Sequence, residues 1–253
     1  MNQLNRETAL YEERTRLISI PQQDNYSDFI RIVPVSPAYK RVFDILLSIF
    51  AIVFVLSWLV PILAVFIKLD SKGPVFFIQK RVGAFGKIFH CIKLRTMIVN
   101  AEAHLLQAQQ NDPRITRFGK FLRLSCFDEL PQFFNVLIGD MSIVGPRPHM
   151  IKDCNEFSKL VKHYDSRNSV KPGITGIAQV KGYRGNTKDY FDVSHRYKWD
   201  MFYVKNRSFS LDVKIVGLTI RSTVLSVFNR YPVKARKEEA ASSYKLDTPE
   251  YLN

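Results

Sequence analysis

From Ile45 to Ile67 the chain runs 23 residues without a charge, rich in Ile, Leu, Val and Phe. As a straight helix this run would extend roughly 34 Å, enough to cross a hydrocarbon core of about 30 Å. A buried helix of a soluble core rarely stays apolar on every face for that length, so the run predicts a membrane segment. Lys40 and Arg41 precede it, and Lys68, Lys72, Lys80 and Arg81 follow it. A spanning helix carries its basic residues mainly on the cytoplasmic side, and here both flanks carry them. Ser57 and Pro61 fall inside the run. Proline lacks an N–H and clashes with the carbonyl four residues back, which predicts a break near Val60–Pro61, with Ser57 available to bond freed backbone groups. The expectation is a re-entrant hairpin that enters, bends and returns to the same face; a kinked single-pass helix is the alternative.

Two further segments suit an interface. Residues 116–124, TRFGKFLRL, set Arg117, Lys120 and Arg123 on one helical face and Phe118, Phe121 and Leu122 on another, with Gly119 weakening the helix. Residues 209–228 are an apolar-rich run carrying only Asp212, Lys214 and Arg221, suited equally to a core helix or an in-plane membrane helix. SKGPVFF and GAFGK read as turns joining short strands, KIFHCIKLRTM as a strand ending in basic residues, and SCFDELPQFFNVLIG as a helix beginning near Ser125 or Cys126. The fold class expected is an irregular, helix-rich α/β (α+β) arrangement: a small sheet with amphipathic in-plane helices around the membrane hairpin. Residues 1–36 form a polar extension whose first 17 residues suit a short helix, 37–70 the membrane helix, 71–230 the catalytic domain, and 231–253 a polar tail. The start lacks an apolar stretch behind a basic segment, so a cleavable signal peptide is not expected.

Composition narrows the partners. Hydrophobic residues make up 46% of the 253 residues, enough for one good-sized domain. Lys and Arg number 37 against 23 Asp and Glu, a formal charge of +14 that calls for nucleic acid, anionic membrane lipid or a phosphorylated substrate. No nucleic-acid-binding motif occurs. Cys91, Cys126 and Cys154 form no CxxC pair, which argues against a disulfide framework or a zinc site and for a reducing compartment. Walker A, GxGxxG, HExxH and GxSxG motifs are missing, and the histidines are scattered.

The remaining chemistry concentrates between residues 71 and 148, where basic residues alternate with Gly, Pro and aromatics and the acids cluster at Asp128, Glu129 and Asp140. Adjacent carboxylates on a helix point about 100° apart, so Asp128 and Glu129 can divide a task between a phosphorus and a metal or proton. They equally suit a helix start, where Ser125 and Asp128 match a capping box and acids favour the macrodipole. Lys93, Arg95, Arg114, Arg123 and Arg147 tip the balance. Phosphoryl transfer needs cations and Mg²⁺ on the phosphate oxygens and an oxygen nucleophile held in line, and a carboxylate nucleophile divides one transfer into two through an acyl phosphate.

In this block the sequence resembles the bacterial sugar transferases, the monotopic polyprenyl-phosphate phosphoglycosyl transferases. The likeness runs from about Lys40 to Phe228 through KRVFD at 40–44, SKGPVFF at 71–77, QKRVG at 79–83, KLRTM at 93–97, DPRITRFGKFLR at 112–123, FDELPQFFNVLIGDMSIVGPRP at 127–148 and KPGITGIAQVKGYRG at 171–185. The resemblance implies transfer of a sugar 1-phosphate from a UDP-sugar to undecaprenyl phosphate with release of UMP, starting assembly of a surface glycan that downstream glycosyltransferases extend. It implies a re-entrant helix broken at Pro61, Asp128 as nucleophile through a covalent phosphosugar intermediate, and Glu129 assisting with Mg²⁺ or deprotonating the lipid phosphate. Asp128 and Glu129 are the metal candidates; Lys93, Arg95, Arg114, Arg123 and Arg147 are the phosphate-binding candidates, and Gln179 belongs to the stretch that shapes the nucleotide-sugar pocket. The location implied is the bacterial inner membrane with the catalytic domain on the cytoplasmic face. GITGIAQVKGYRG is closer to hexose-transferring members, which favours UDP-glucose or UDP-galactose. Where many members have Thr-Ser-Leu before the acid pair, this chain has Ser125, Cys126 and Phe127; cysteine is a poor N-cap, so Ser125 is expected to cap instead. The larger relatives' N-terminal helix bundle and second soluble domain have no counterpart before Lys40, so a minimal catalytic form is expected. Two readings stay open beside this one: a membrane glycosyltransferase making a direct glycosidic bond, and a non-enzymatic basic protein that binds the membrane surface.

Overall fold

The charge-free run folds as the middle of one long helical element in the computed structural model, which describes residues 38–104, 106–109, 111–183 and 189–227. The expected N-terminal extension with its short helix and the polar tail lie outside the described residues. Helix α1 (Ala38–Ala51) passes through a π-helical turn at Ile52–Leu56 into α2 (Ser57–Asp70). The break expected at Val60–Pro61 does not occur: Pro61 sits within α2, the element runs on without interruption, and its one departure from α geometry is the π turn ahead of the proline. Pro61 leaves the Ser57 carbonyl without its usual donor and crowds it, and the preceding turn widens until the Ser57 N–H bonds the Ile52 carbonyl, five residues back. The Ser57 hydroxyl donates to the Val53 carbonyl at 2.6 Å, satisfying backbone within the widened turn. Ala38–Asp70 has a mean hydropathy of 2.8 over its most apolar stretch, of which only 17% is buried, so the rest of the protein leaves it uncovered. Phe50, Phe54, Trp58, Ile62 and Phe66 all point outward.

Both ends of this element are fastened to the same body. At its start Lys40 pairs with Asp212 at 2.7 Å and donates to the Val144 carbonyl, while Asp44 accepts from Ser142 Oγ and the Ile143 N–H, each at 3.0 Å. Arg41 donates to the carbonyls of Val136 and Leu137. At its end Leu63 and Ile67 pack against Leu94 and Leu122, and Asp70 accepts the Phe118 N–H at 3.0 Å.

Strands β1 (Phe76–Val82) and β2 (Ile88–Leu94) form an antiparallel pair joined through GAFGK, as the turn residues predict. A second sheet pairs β3 (Ser142–Val144) with β4 (Gly173–Thr175) in parallel. The expected small sheet is therefore two separate two-stranded sheets in a helix-rich α+β fold. The parallel pair explains why Gly-Pro strings occur in both partners: a Cβ on Gly173 would stand 2.1 Å from the Gly145 N.

Between the sheets lie α3 (Arg117–Ser125) and α4 (Gln132–Ile138), separated by a 3₁₀ turn at Phe127–Glu129. Thr116 caps α3, its hydroxyl accepting the Gly119 N–H at 3.0 Å. Gly119 costs helix propensity but is required, because a Cβ there would meet the Thr96 carbonyl oxygen at 2.0 Å. The single helix expected from Ser125 or Cys126 is corrected to this helix–turn–helix. Ser125 is the last residue of α3, and its hydroxyl donates back to the Phe121 and Leu122 carbonyls, so it caps nothing ahead of it. Cys126 takes the left-handed conformation (φ 61°) that ends α3, and Pro131, without an N–H, delays the next helix until Gln132.

The chain continues through α5 (Ile151–Leu160), the short α6 (Ile177–Val180), α7 (Tyr190–Asn206) and α8 (Phe209–Val227). Helix α8 is a core helix along one face and leaves apolar residues uncovered along another. Leu211, Ile215 and Val216 pack on the main core with Trp199 and Tyr203, whereas Val213, Ile220 and Val224 are exposed.

Candidate active site

Strand pairing builds the first wall. Side chains alternate across a strand, so Gln79 and Arg81 of β1 share a face with Phe89, Cys91 and Lys93 of β2, to which their register ties them. Phe89 and Cys91 anchor that face in the core, and the face continues into a cavity lined by Gln79, Arg81 and Lys93. The cavity has a volume of about 530 Å³, and Asp128, Glu129, Arg123, Arg147, Asp153 and Arg196 also line it.

The tight turn after Cys126 presents both acids to this space; Asp128 and Glu129 are both buried. Glu129 is gripped from two sides. Lys93 Nζ lies 2.9 Å from Oε1, and Arg147 reaches Oε1 at 2.5 Å and Oε2 at 3.2 Å. Arg123 stands within electrostatic reach of Asp128 and Glu129, and its Nε donates to Thr96 Oγ1 at 2.8 Å. Burial pulls the Arg123 pKa down while those carboxylates push it back up; a guanidinium stays charged throughout.

Of the residues singled out in the sequence, Lys93, Arg123, Arg147, Asp128 and Glu129 line this one cavity. Arg95 lines the same cavity but is committed elsewhere: its guanidinium donates to the carbonyls of Lys72, Ser71 and Ile67, holding the C-terminal end of α2 where a cation suits the helix dipole. Arg114 is not on the cavity wall. It clamps Asp112 at 2.7 Å and reaches Glu102, and this pairing holds the Asp112 carboxyl well below the usual carboxylate range. Gln179 is also outside the cavity lining, its amide donating to the Ile174 carbonyl at 3.2 Å.

Four residues were missed. Arg81 enters the sequence pattern only as a flanking charge, and the alternation of β1 and β2 that puts it on the same face as Lys93 is the signal that finds it. His149, Arg196 and Arg167 carry no such signal, because α5, α7 and the 164–169 turn bring them in from far along the chain. Arg196 Nη1 lies 3.5 Å from His149 Nε2 and Tyr164 Oη lies 3.0 Å from Nδ1. Because arginine only donates, Nε2 is the acceptor and Nδ1 carries the proton toward Tyr164. Burial first, and then Arg167, Arg196, Arg81 and Arg147, push the His149 pKa well down and keep the ring neutral. Behind it Arg167 donates to the Arg147 carbonyl at 2.7 Å and pairs with Asp200 at 2.8 Å.

Six basic side chains (Arg81, Lys93, Arg95, Arg123, Arg147, Arg196) face three acidic ones (Asp128, Glu129, Asp153) along the cavity wall. Such an excess of positive charge along one cavity favours an anionic ligand. Cysteine chemistry is disfavoured at the two buried thiols, since burial raises Cys91 and pushes Cys154 up to about 12. Among the described residues no group of three or more His, Cys, Asp and Glu gathers around a metal position. Mg²⁺ needs no such cage, because it binds through one or two carboxylates together with substrate phosphates and waters; Asp128 and Glu129 are the carboxylates at this place in the cavity, and both Glu129 oxygens already pair with Lys93 or Arg147.

The acid pair thus stands in a cavity richer in basic than in acidic side chains, in a chain that also carries one long and largely uncovered apolar helix. The profile of the bacterial sugar transferase family matches residues 35–226, and the chain belongs to that family. It is 50% identical over 159 residues to the UDP-glucose:undecaprenyl-phosphate glucose-1-phosphate transferase of Xanthomonas campestris pv. campestris, covering 62% of this chain and 33% of the relative. A protein of the same name from Klebsiella pneumoniae is 42% identical over 187 residues, 74% of this chain and 40% of the relative. The UDP-N-acetylgalactosamine-undecaprenyl-phosphate N-acetylgalactosaminephosphotransferase of Aeromonas hydrophila is 46% identical over 197 residues, 76% and 46% respectively. The chain therefore spans less than half the length of each of these relatives.

Proposed function

We propose that the protein transfers a sugar 1-phosphate from a UDP-sugar to undecaprenyl phosphate and releases UMP. The observation that carries this reading is the placement of Asp128 beside a Glu129 held by Lys93 and Arg147, within a cavity whose basic side chains outnumber its acids. An Asp128 carboxylate oxygen attacks the sugar-bearing phosphorus. The bond from that phosphorus to the bridging oxygen breaks, its electrons leaving with UMP, and an aspartyl phosphosugar forms. An oxygen of the lipid phosphate then attacks the same phosphorus and displaces the Asp128 carboxylate, giving a diphosphate-linked lipid. Arg123, Lys93 and Arg147 steady the phosphate oxygens through both displacements, and Glu129 holds Lys93 and Arg147 in place. Mg²⁺ held by Asp128, Glu129 and the substrate phosphates would neutralise charge as the bridging bond breaks. The names of the relatives favour UDP-glucose as donor, with an acetamido sugar as the competing choice.

Undecaprenyl phosphate is a membrane lipid, and the helical element suits access to it. The re-entrant path is supported by Lys40 and Asp44 at one end and Ile67 and Asp70 at the other binding the same catalytic body, with a π turn between them. On this reading the catalytic body sits on the cytoplasmic face, with exposed Arg117 and Lys120 of α3 toward anionic headgroups and the lipid product passing to downstream glycosyltransferases. Tags at the two termini are then both cut by protease only after the inner membrane is opened; cleavage of either tag in intact spheroplasts excludes the hairpin. The activity is tested by incubating the purified protein with undecaprenyl phosphate, Mg²⁺ and a panel of UDP-sugars. UMP release with formation of a diphosphate-linked lipid is expected, and UDP release would point to direct glycosidic transfer.

A further inference from the structure

The cavity is chemically divided. At one end stand Asp128, Glu129, Lys93, Arg123 and Arg147. At the other, Gln79, Arg81 and Asp153 line the wall together with Gln107 and Met150. Arg81 bridges the two ends: both Asp153 and Glu129 act on its charge. Its Nε and Nη2 donate to Gln79 Oε1 at 2.9 and 2.5 Å, and Nη1 donates to the Pro148 carbonyl at 3.0 Å. Gln79 Nε2 is spent in turn on the Ala103 carbonyl and Met150 Sδ, both at 3.1 Å. This end is therefore rigidly built, with Arg81 and Asp153 within electrostatic reach of one another.

Asp153 lies in the first turn of α5, where an acid helps to satisfy the free N–H groups of the helix start; burial raises its pKa, and Arg81, Gln107 and the Met150 N–H pull it back toward the ionised form. Capping accounts for one carboxylate oxygen. The other, Oδ2, is buried in the cavity wall with no hydrogen-bond partner. A buried acceptor without a donor is costly, and a bound ligand that donates to it recovers that cost. A phosphate cannot do so, because it brings only acceptors and negative charge.

We propose that Asp153, framed by Arg81 and Gln79, is a specificity-determining residue that accepts a hydrogen bond from a hydroxyl of the neutral, polyol part of the nucleotide-sugar donor. The assignment rests on the proposed transferase reading and extends it: phosphates bind at the Asp128 end and hydroxyls at the Asp153 end. A site built to accept from a hydroxyl discriminates strongly against a donor that lacks it.

The test combines Asp153→Asn with donor analogues missing single hydroxyls of the hexose or of the ribose, read by UMP release and by equilibrium binding to the full-length protein in nanodiscs. Asn keeps the size of the side chain but loses the charge. With the natural donor, KM and Kd are expected to rise roughly tenfold in the variant, with KM for the lipid phosphate unchanged. In the wild type, one deoxy analogue should weaken binding by a similar factor, and that penalty should vanish in Asp153→Asn. A hexose analogue showing this pattern places the sugar at Asp153, and a ribose analogue places the nucleoside there. Because the analogues act on wild-type protein, the inference is decided even if the variant fails to fold. Unchanged affinity for every deoxy analogue overturns it. Wild type that binds the donor with this hydroxyl preference but releases no UMP from any UDP-sugar overturns the transferase reading and leaves the subsite standing.

Discussion

Asp128→Asn should reduce UMP release by about a thousandfold or more while leaving the protein folded, because an amide cannot form the acyl phosphate. Asparagine occupies nearly the volume of aspartate, and the turn that carries it is set by the backbone. Cys126 ends α3 in the left-handed region, the Glu129 N–H bonds the Cys126 carbonyl at 3.1 Å, and the Leu130 N–H bonds that of Phe127 at 3.2 Å. None of these contacts depends on the Asp128 charge. Glu129→Gln should behave differently. It weakens the pairing with Lys93 and Arg147 and so loosens the phosphate grip, lowering turnover without abolishing the covalent step. Rapid quench with a donor labelled in the sugar-bearing phosphate separates the two: labelled protein should form in Glu129→Gln and in the wild type, and none in Asp128→Asn. A labelled Asp128→Asn protein, or one that keeps full turnover, would remove Asp128 from the chemistry.

The sequence carried the acid pair and its nearest cations because they belong to short stretches whose residue types announce phosphate chemistry. The strand KIFHCIKL and the turn before it were equally legible, and with them the position of Lys93. Local patterns could not show how charges are spent. Arg95 and Arg114 sit in strings as basic as the rest, but one holds the end of α2 and the other is bound to Asp112 two residues away. A DPR triplet that closes on itself looks, in one dimension, like a free arginine. The capping box at Ser125 failed for a related reason. Its spacing was right, but Pro131 and the left-handed Cys126 make a turn where a continuous helix was expected. Arg167, Arg196 and His149 were invisible because their partners are distant in the chain: 33 residues separate Arg167 from Asp200, and 47 separate Arg196 from His149. Pro61 pointed to a helix break, yet the element stays continuous, because a π turn ahead of the proline accommodates it.

Asp200→Ala should destabilise the catalytic body by about 3–5 kcal/mol, the usual cost of removing one partner of a buried ion pair. Arg167 and Asp200 are 1% and 2% exposed, so the abandoned guanidinium has no water to turn to. At roughly 2–4 °C per kcal/mol for a protein of this size, the melting temperature should fall by about 10 °C. Arg167 also donates to the Arg147 carbonyl at 2.7 Å, so the pair holds the loop from which Arg147 reaches Glu129. Stability and activity can therefore be pulled apart. The double variant Arg167→Met, Asp200→Leu replaces both charges with apolar groups of comparable size and should recover most of the lost stability. It cannot restore the donor to the Arg147 carbonyl, so kcat should stay depressed after the melting temperature returns. Scanning calorimetry and UMP release on the same preparations read both quantities. If activity returns in step with stability, Arg167 serves only the fold, and Arg147 is positioned by its own contacts with Glu129.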